Sequence, residues 1–242
     1  MASLSLRNIL LRIFSAVMVI MATTLATSCN SESTDPTYLV QEWATYTGTL
    51  GGKPTFDVQR TGNGPVYTLV GDRTLGNSTV PVGARVIISY ELPSLDVLPT
   101  SGEIALTGCS GILTYTPQVV DMDTVADWNV HALYIESVTR TGGYINVMSQ
   151  AYVNTSDLAS TFTFYVDKAS LDTSSPLLYL RYNRPMGSVN AGRVPMSLDV
   201  STFWNQPERF DGVTLNIRNG NVESLSVFDF PRSAENFVQP NN

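Results

Sequence analysis

Residues 213–228, VTLNIRNGNVESLSVF, contain two runs of apolar and β-branched residues around an Asn-Gly-Asn turn. Asn and Gly tolerate positive φ, and Asn-Gly is typical of the tight turn between two antiparallel strands. The stretch therefore predicts a hairpin in which Val213–Arg218 pairs with Val222–Phe228. No segment of the chain beyond residue 38 shows the sustained 3.6-residue periodicity of a long helix, so we expect an all-β fold.

The rest of the second half of the chain has the same character. Thr141-Gly142-Gly143 is a compact turn signal between two of its strand-like runs. With the hairpin there are seven short strands, and this spacing of strands and turns predicts a β-sandwich of about seven strands, which we assign to residues 119–242. The five runs that precede the hairpin are Asn129–Arg140, Tyr144–Val153, Ser160–Asp167, Leu177–Asn183 and Val194–Val200.

The first half contains five strand-like runs separated by Gly- and Pro-rich turns. Five strands in about 80 residues favour a small barrel, and the OB fold is the five-stranded one; an SH3-like barrel would give much the same pattern. We assign an OB-like domain to residues 38–118 and interpret Val119–Asp127 as the start of the second domain, a solvated junction. The five runs are Tyr38–Thr47, Thr55–Arg60, Val66–Gly71, Ala84–Glu91 and Glu103–Thr114.

The first 28 residues have the layout of a secretory signal peptide. Arg7 and Arg12 supply the positive charge at its start, and the apolar run extends from Ile9 to Met21. This run is shorter than the roughly 20 residues of a membrane span. Cys29 follows a stretch of small residues, which indicates a bacterial lipoprotein with lipid attached at Cys29. Residues 29–37 would then form a polar tether. We expect an outer-membrane lipoprotein of the cell envelope, with the periplasmic or surface-facing side undecided.

Charge and cysteine content exclude some functions. The net charge is −7, and removal of residues 1–28 leaves −9 because that segment contains two arginines and no acid. Such a surface repels phosphate backbones, so we expect no nucleic-acid partner. If Cys29 carries lipid, Cys109 has no intramolecular disulfide partner, and we interpret Cys109 as a small buried hydrophobic residue.

The sequence contains no recognisable catalytic or metal-binding pattern. His131 is the only histidine, no G-x-S-x-G motif is present, and one histidine with one free cysteine cannot supply four zinc ligands. Asp121 and Asp123 have D-x-D spacing but lack the glycine and terminal glutamate of a calcium loop. A glycosidase would need two facing carboxylates, which sequence does not reveal. We therefore expect no enzyme activity, no cofactor and no metal.

Two groups of residues are candidates for binding. Arg181, Arg184 and Arg193 flank one loop of an acidic protein and form a candidate basic patch for an acidic glycan or a protein partner. A second group is aromatic: it would either fill the core or provide a platform on which sugar rings stack. Its members are Trp43, Trp128, Trp204, Tyr134, Tyr144, Tyr152, Tyr165, Tyr179 and Tyr182.

Four features together resemble the NigD-like lipoproteins, a family of Bacteroidetes envelope proteins. They are the signal that ends at Cys29, the stretch Tyr67–Leu75 followed by Val82–Val86, the strand Leu177–Asn183, and the strand Val194–Ser201. The resemblance implies an N-terminal OB-like domain and a C-terminal β-sandwich. It also implies a non-enzymatic protein, linked to bacteriocin production or immunity or to partner binding at the outer membrane. The alternative is a surface glycan-binding or adhesin-like lipoprotein.

Thr124 is a candidate modification site. Asp123-Thr124-Val125 resembles the D-(S/T)-apolar acceptor for O-glycosylation in Bacteroidetes, and its place in the predicted junction would make it accessible.

Overall fold

The computed structural model describes residues 37–76, 80–154, 159–186 and 190–233. The predicted signal peptide, Cys29 and the tether up to residue 36 lie outside the described residues. The described chain forms two compact units. The first comprises the residues up to Arg60 together with Pro65–Gly111, and the second comprises Thr61–Gly64 together with the residues from Ile112 onward. The units therefore divide at Gly111, whereas we placed the boundary at residue 118.

The first unit is a closed five-stranded barrel in the order β1-β2-β3-β5-β4, with β4 paired to β1. Neighbouring strands are antiparallel except for the parallel pair β3 and β5. This architecture agrees with the predicted OB-like barrel. The strands are β1 (Tyr38–Leu50), β2 (Lys53–Gln59), β3 (Val66–Gly71), β4 (Arg85–Leu92) and β5 (Gly102–Gly111).

The barrel interior is filled by alternate residues of each strand, as the period of a β-strand requires. Gly51 and Gly52 connect β1 to β2 with φ of 59° and 81°, which is the conformation that a two-residue hairpin turn needs. The core residues are Val40, Ala44, Tyr46, Phe56, Val58, Leu69, Val86, Ile88, Tyr90, Ile104 and Leu106.

The second unit is a β-sandwich of a five-stranded sheet, β14-β13-β11-β10-β7, and a four-stranded sheet, β6-β12-β9-β8. One short helix, α1 (Ser201–Trp204), follows β12. The described residues of this unit form nine strands, two more than we predicted. They are β6 (Leu113–Tyr115), β7 (Gln118–Val120), β8 (Tyr134–Thr141), β9 (Tyr144–Val153), β10 (Phe162–Asp167), β11 (Leu177–Tyr182), β12 (Asn190–Asp199), β13 (Gly212–Asn219) and β14 (Ser224–Pro231).

The two additional strands explain the shifted boundary. β6 pairs in parallel with β12, and β7 pairs in parallel with β10, so both belong to the sandwich. In sequence β6 looks like the continuation of β5, and β7 lies at the start of the segment we interpreted as a solvated junction. Strands of three residues carry too little periodicity to be recognised, because only their distant pairing partners define them.

The sandwich core lies between the inner faces of the two sheets. In β9 the inward residues are Ile145, Val147, Ala151 and Val153, and β11 contributes Leu178, Leu180 and Tyr182 in the same alternating way. Phe203 of α1 and Phe210 close the core with an edge-to-face ring contact.

The hairpin of β13 and β14 forms with a longer turn than we predicted. Asn219 pairs with Ser224, so four residues connect the strands, and the positive φ falls on Glu223. The Asn219 side chain is buried instead, where it donates to Ser226 Oγ and accepts from the amide of Asn221. Asn219 of the Asn-Gly pair therefore ends strand β13, and the pair does not form the predicted two-residue turn.

A carboxylate lies inside the otherwise apolar barrel. Glu42 occupies an inward position of β1 and is 9% exposed. It accepts two hydrogen bonds from the Arg60 guanidinium, at 2.5 and 3.2 Å, and one from the Tyr90 hydroxyl at 2.6 Å. Arg60 also donates to the carbonyl of Pro99. Burial, followed by the charge of Glu42, raises the pKa of Tyr90, so this hydroxyl keeps its proton and its donor role.

Replacing Glu42 should therefore destabilise the barrel. We expect Glu42→Ala to lower the free energy of unfolding by about 3 kcal/mol, because it leaves a partly buried guanidinium and a buried hydroxyl without their acceptor. Glu91→Ala, at an exposed position of β4, is the matched control. Hydrogen exchange should show the loss in barrel peptides and not in sandwich peptides. Equal protection of the barrel in Glu42→Ala and Glu91→Ala would contradict this role.

Candidate functional site

The strongest candidate site is on the outer face of the four-stranded sheet. β9 and β12 pair over ten residues, from Tyr144–Asp199 to Val153–Asn190, and odd-numbered residues of β9 fill the core. Gln150 and Tyr152 therefore face outward. Gln150 lies between Tyr134 of β8 and Arg193 of β12, which are its direct partners in the two flanking strands. We call the resulting surface the tyrosine–arginine patch: Tyr134, Glu136, Gln150, Tyr152, Arg184 and Arg193.

Two exposed tyrosines form its apolar part. Tyr134 is 53% exposed and Tyr152 is 38% exposed. Because Tyr134 is paired with Gln150, Tyr152 is its diagonal neighbour, within reach of an aromatic side chain. The Tyr134 ring covers Gly220, where an added Cβ would lie 3.2 Å from the ring, so a glycine at this turn leaves room for the ring.

Tyr152 is held in place from below by Tyr182. The Tyr182 hydroxyl accepts from the amide of Tyr152 at 2.9 Å and donates to its carbonyl at 2.8 Å. Tyr182 is buried at the edge of the core and stacks on Phe162. Burial raises the pKa of Tyr182, so the hydroxyl remains a donor. A buried tyrosine therefore positions an exposed one.

Charged groups surround the tyrosines. The Arg184 guanidinium lies 4.2 Å from the centre of the Tyr152 ring, a cation–π contact. Glu136 is the extra residue of a β-bulge in β8, which brings its carboxylate to Arg193 Nε at 2.6 Å and to Gln150 Nε2 at 3.1 Å. The patch thus combines two ring faces, a neutralised ion pair and one guanidinium stacked on a ring.

The predicted basic patch is divided by the fold. Arg184 and Arg193 belong to the tyrosine–arginine patch, but Arg181 lies on β11 of the other sheet. Leu180 and Tyr182 point into the core, so Arg181 points to the outer face of the five-stranded sheet. Arg181 is thus separated from Arg193, because β11 and β12 belong to different sheets.

The other predicted residues have varied positions. Thr124 is exposed in a 3₁₀ turn, Met122–Thr124, where its hydroxyl donates to the carbonyl of Asp121. Cys109 is partly buried, and burial raises the pKa of its thiol. His131 accepts at Nδ1 from the amide of Arg184 and contacts the Tyr182 ring edge-on. Cys29 lies outside the described residues.

The tryptophans fill three different environments. Trp43 is buried on β1, at a position that alternates with the inward residues Glu42 and Ala44 and lies outside the barrel core. Trp204 packs against the sandwich core beneath the guanidinium groups of Arg140 and Arg232. Arg232 donates to the carbonyls of Phe203, Trp204 and Phe210, and Arg140 donates to those of Gly62 and Gly142. Trp128 is partly exposed and meets the Tyr179 ring edge-on at 4.8 Å.

Sequence reasoning missed Glu136 and Gln150. The available signal was the i, i+2 spacing of Tyr134 with Glu136 and of Gln150 with Tyr152, which is typical of residues that share one face of a strand. Across the described residues, no group of His, Cys, Asp and Glu side chains could hold a metal ion. Among the same residues, no helix is long and apolar enough to cross a membrane.

Comparison with known proteins gives similarity in structure only. No family model matches the chain, and no curated protein matches it. Three solved structures from Bacteroides share the fold. A protein of unknown function, DUF1344, from Bacteroides vulgatus superposes with a TM-score of 0.63 and 13% identity, covering 84% of this chain and 96% of that one.

The other two structures bear on the family. One is named "Putative lipoprotein", from Bacteroides fragilis, with a TM-score of 0.52, 12% identity, and coverage of 81% of this chain and 98% of that one. The other is a NigD-like immunity protein from Bacteroides caccae, with a TM-score of 0.51, 14% identity, and coverage of 80% and 97%. The resemblance to NigD-like proteins is thus confirmed at the level of the fold.

Proposed function

We propose that this protein is a non-enzymatic lipoprotein of the bacterial cell envelope that binds a partner protein through the tyrosine–arginine patch. The observation that carries the proposal is the exposure of Tyr134 and Tyr152 on one sheet face beside Arg184 and Arg193. Tyrosine and arginine are the residue types that protein interfaces favour, because they provide large rigid contacts and directed hydrogen bonds.

The patch is already organised for binding. Tyr152 is fixed by the Tyr182 hydroxyl and by the Arg184 guanidinium, and Glu136 holds Gln150 and Arg193. A surface whose side chains are fixed before binding loses less conformational freedom when the partner arrives. The neutralised pair of Glu136 and Arg193 suits a partner surface of low net charge, which would not be repelled by the acidic protein.

The envelope location and the immunity role rest on two kinds of support. Cys29 after an apolar run of signal-peptide character supports a lipid anchor at the outer membrane. The fold is shared with a NigD-like immunity protein and with a protein named as a lipoprotein. On these grounds we infer a protein held at the membrane that engages a partner involved in bacteriocin production or immunity.

A glycan-binding role is the second candidate. Two exposed tyrosines on a flat sheet face could also stack on sugar rings, and Gln150 and Glu136 would supply hydrogen bonds beside them. A glycan-binding protein would bind its glycan in purified form. A partner-binding protein would show its binding only where the partner protein is present, in the cell envelope.

The lipid anchor predicts the effect of one substitution. In cells of the native host, Cys29→Ser should move the protein from the membrane fraction to the soluble fraction, because the thiol that receives the lipid is gone. Cys109→Ser is the matched control and should leave the protein in the membrane fraction. A wild-type protein that carries no lipid label and a Cys29→Ser protein that stays with the membrane would contradict the anchor.

The tyrosine–arginine patch predicts a site-specific crosslink in intact cells. A photo-crosslinking residue at Gln150 should capture one defined envelope protein, and Tyr134→Ala with Tyr152→Ala should reduce that crosslink at least tenfold. The same crosslinker at Leu225, an exposed position of β14, is the control and should not capture it. Capture of the same proteins from both positions would contradict the proposal. Binding of a purified glycan that needs Tyr134 and Tyr152 would favour the second candidate instead.

The exposure of Thr124 supports its proposed O-glycosylation. Protein purified from the native host should show a glycan mass on the peptide that contains Thr124, and Thr124→Ala should abolish it. Thr173→Ala, at a turn without the acceptor pattern, is the control. An unmodified Thr124 peptide would contradict this proposal.

A further inference from the structure

A second surface is present on the outer face of the five-stranded sheet, away from the tyrosine–arginine patch. β11 and β13 run in parallel, and the backbone pair nearest to their C-terminal ends is Leu180 with Ile217. Both residues are buried in the core. Arg181 and Arg218 are the next residues of the two strands. Since side chains alternate between faces, both arginines point outward from neighbouring strands, which are spaced about 4.8 Å apart. Both are partly buried.

Neither arginine forms an ion pair with a carboxylate of the described residues, although Asp167 lies on this face. Burial, followed by the charge of Asp167, raises the pKa of Tyr179. Arg181 is paired with Thr163 across the sheet and lies between Tyr179 and Asn183 along its own strand. Arg218 is paired with Leu225 and follows Asn216 on the same face. Within the described residues, neither arginine has a carboxylate within 4 Å. Two adjacent uncompensated guanidinium groups are notable in a chain whose net charge is −7.

Arg181 also has an unmet hydrogen-bonding requirement. Its Nε is fully buried and has no hydrogen-bond partner among the described residues. A buried donor without an acceptor costs about 1–3 kcal/mol, and more when the group is charged. An anion from outside the chain would offset this cost by binding the remaining donors of the guanidinium, and an anion is the acceptor that a guanidinium binds most strongly.

Aromatic rings lie directly beside the arginines. Tyr179 is two residues before Arg181 on the same face, and Tyr165 is the direct cross-strand partner of Tyr179. Trp128 lies against Tyr179 with ring centres 4.8 Å apart. All three rings are partly exposed. The surface thus pairs a cationic end with an aromatic end in which the Trp128 and Tyr179 rings meet edge-on, and this combination matches a sugar ring that carries an acidic group.

We propose that this surface is a binding site for a carboxylated sugar, a uronic acid unit of an acidic glycan. The planar carboxylate is bound by Arg181 and Arg218, because a guanidinium matches the two carboxylate oxygens with two parallel hydrogen bonds. The sugar ring stacks on Trp128, with Tyr179 beside it. A glycan is favoured over an acidic peptide because the aromatic surface lies on a sheet face and not along a free strand edge, which is where extended peptides add. The site is separate from the proposed partner-binding patch.

The experiment measures binding of trigalacturonate to the purified chain by calorimetry and by the fluorescence of Trp128. We expect saturable binding that weakens as salt is raised. Arg181→Gln and Arg218→Gln should each weaken it at least tenfold, and Arg181→Lys should weaken it as well because lysine lacks the forked donor geometry. Arg73→Gln, an exposed arginine of the barrel, is the control and should bind like the wild type. Trp128→Phe should abolish the fluorescence change.

Three further ligands distinguish the chemistry. The carboxyl-reduced trisaccharide, a tri-glutamate peptide and dextran sulfate are measured beside trigalacturonate, with circular dichroism to establish that each variant is folded. Much weaker binding of all three would support the proposal. Equal binding of the neutral sugar would show that the arginines do not contribute to binding. Equal binding of the peptide or of dextran sulfate would show that the site does not select a uronic acid. Each of these results overturns the proposal. Absence of trigalacturonate binding, or wild-type binding by both glutamine variants, also overturns it.

Discussion

The register between β9 and β12 is the constraint on which the sandwich and its candidate site both depend. These two ten-residue strands are the centre of the four-stranded sheet, and their pairing places Ile145, Val147 and Ala151 in the core. The same pairing places Gln150 beside Arg193 and exposes Tyr152. A slip of one residue would exchange the two faces, so burial of the apolar face fixes the composition of the outer one. The proposed patch is thus a consequence of core packing.

The arginines of this protein illustrate how the fold assigns different roles to one residue type. Arg232 satisfies backbone carbonyls near the helix α1, and Arg60 neutralises the carboxylate of Glu42 inside the barrel. Arg184 stacks on an exposed ring at the patch. Arg181 differs from these, because its buried Nε has no partner in the described chain. Arginines with satisfied donors stabilise the fold, whereas the unmet donor of Arg181 is one of the observations behind the proposed glycan site.

A shared fold limits what can be said about function, since one fold supports many activities. The similarity to the structures from Bacteroides extends over most of each chain at 12–14% identity, which establishes architecture. The functional argument therefore rests on side chains of this chain. Two separate faces of the sandwich carry partly or fully exposed aromatic rings with arginines, and both are compatible with a protein that binds a ligand.

The sequence by itself determined the strand content, the five-stranded barrel and most strand positions, because alternation of apolar residues and glycine-containing turns are local properties of the chain. Only the tertiary structure decided that β6 and β7 join the sandwich, that Asn219 is buried, and that Arg181 faces away from Arg184 and Arg193. Each of these depends on which distant strand lies alongside. The local pattern states that alternate residues share a face, whereas the pairing of remote strands determines which face that is and what lies next to it.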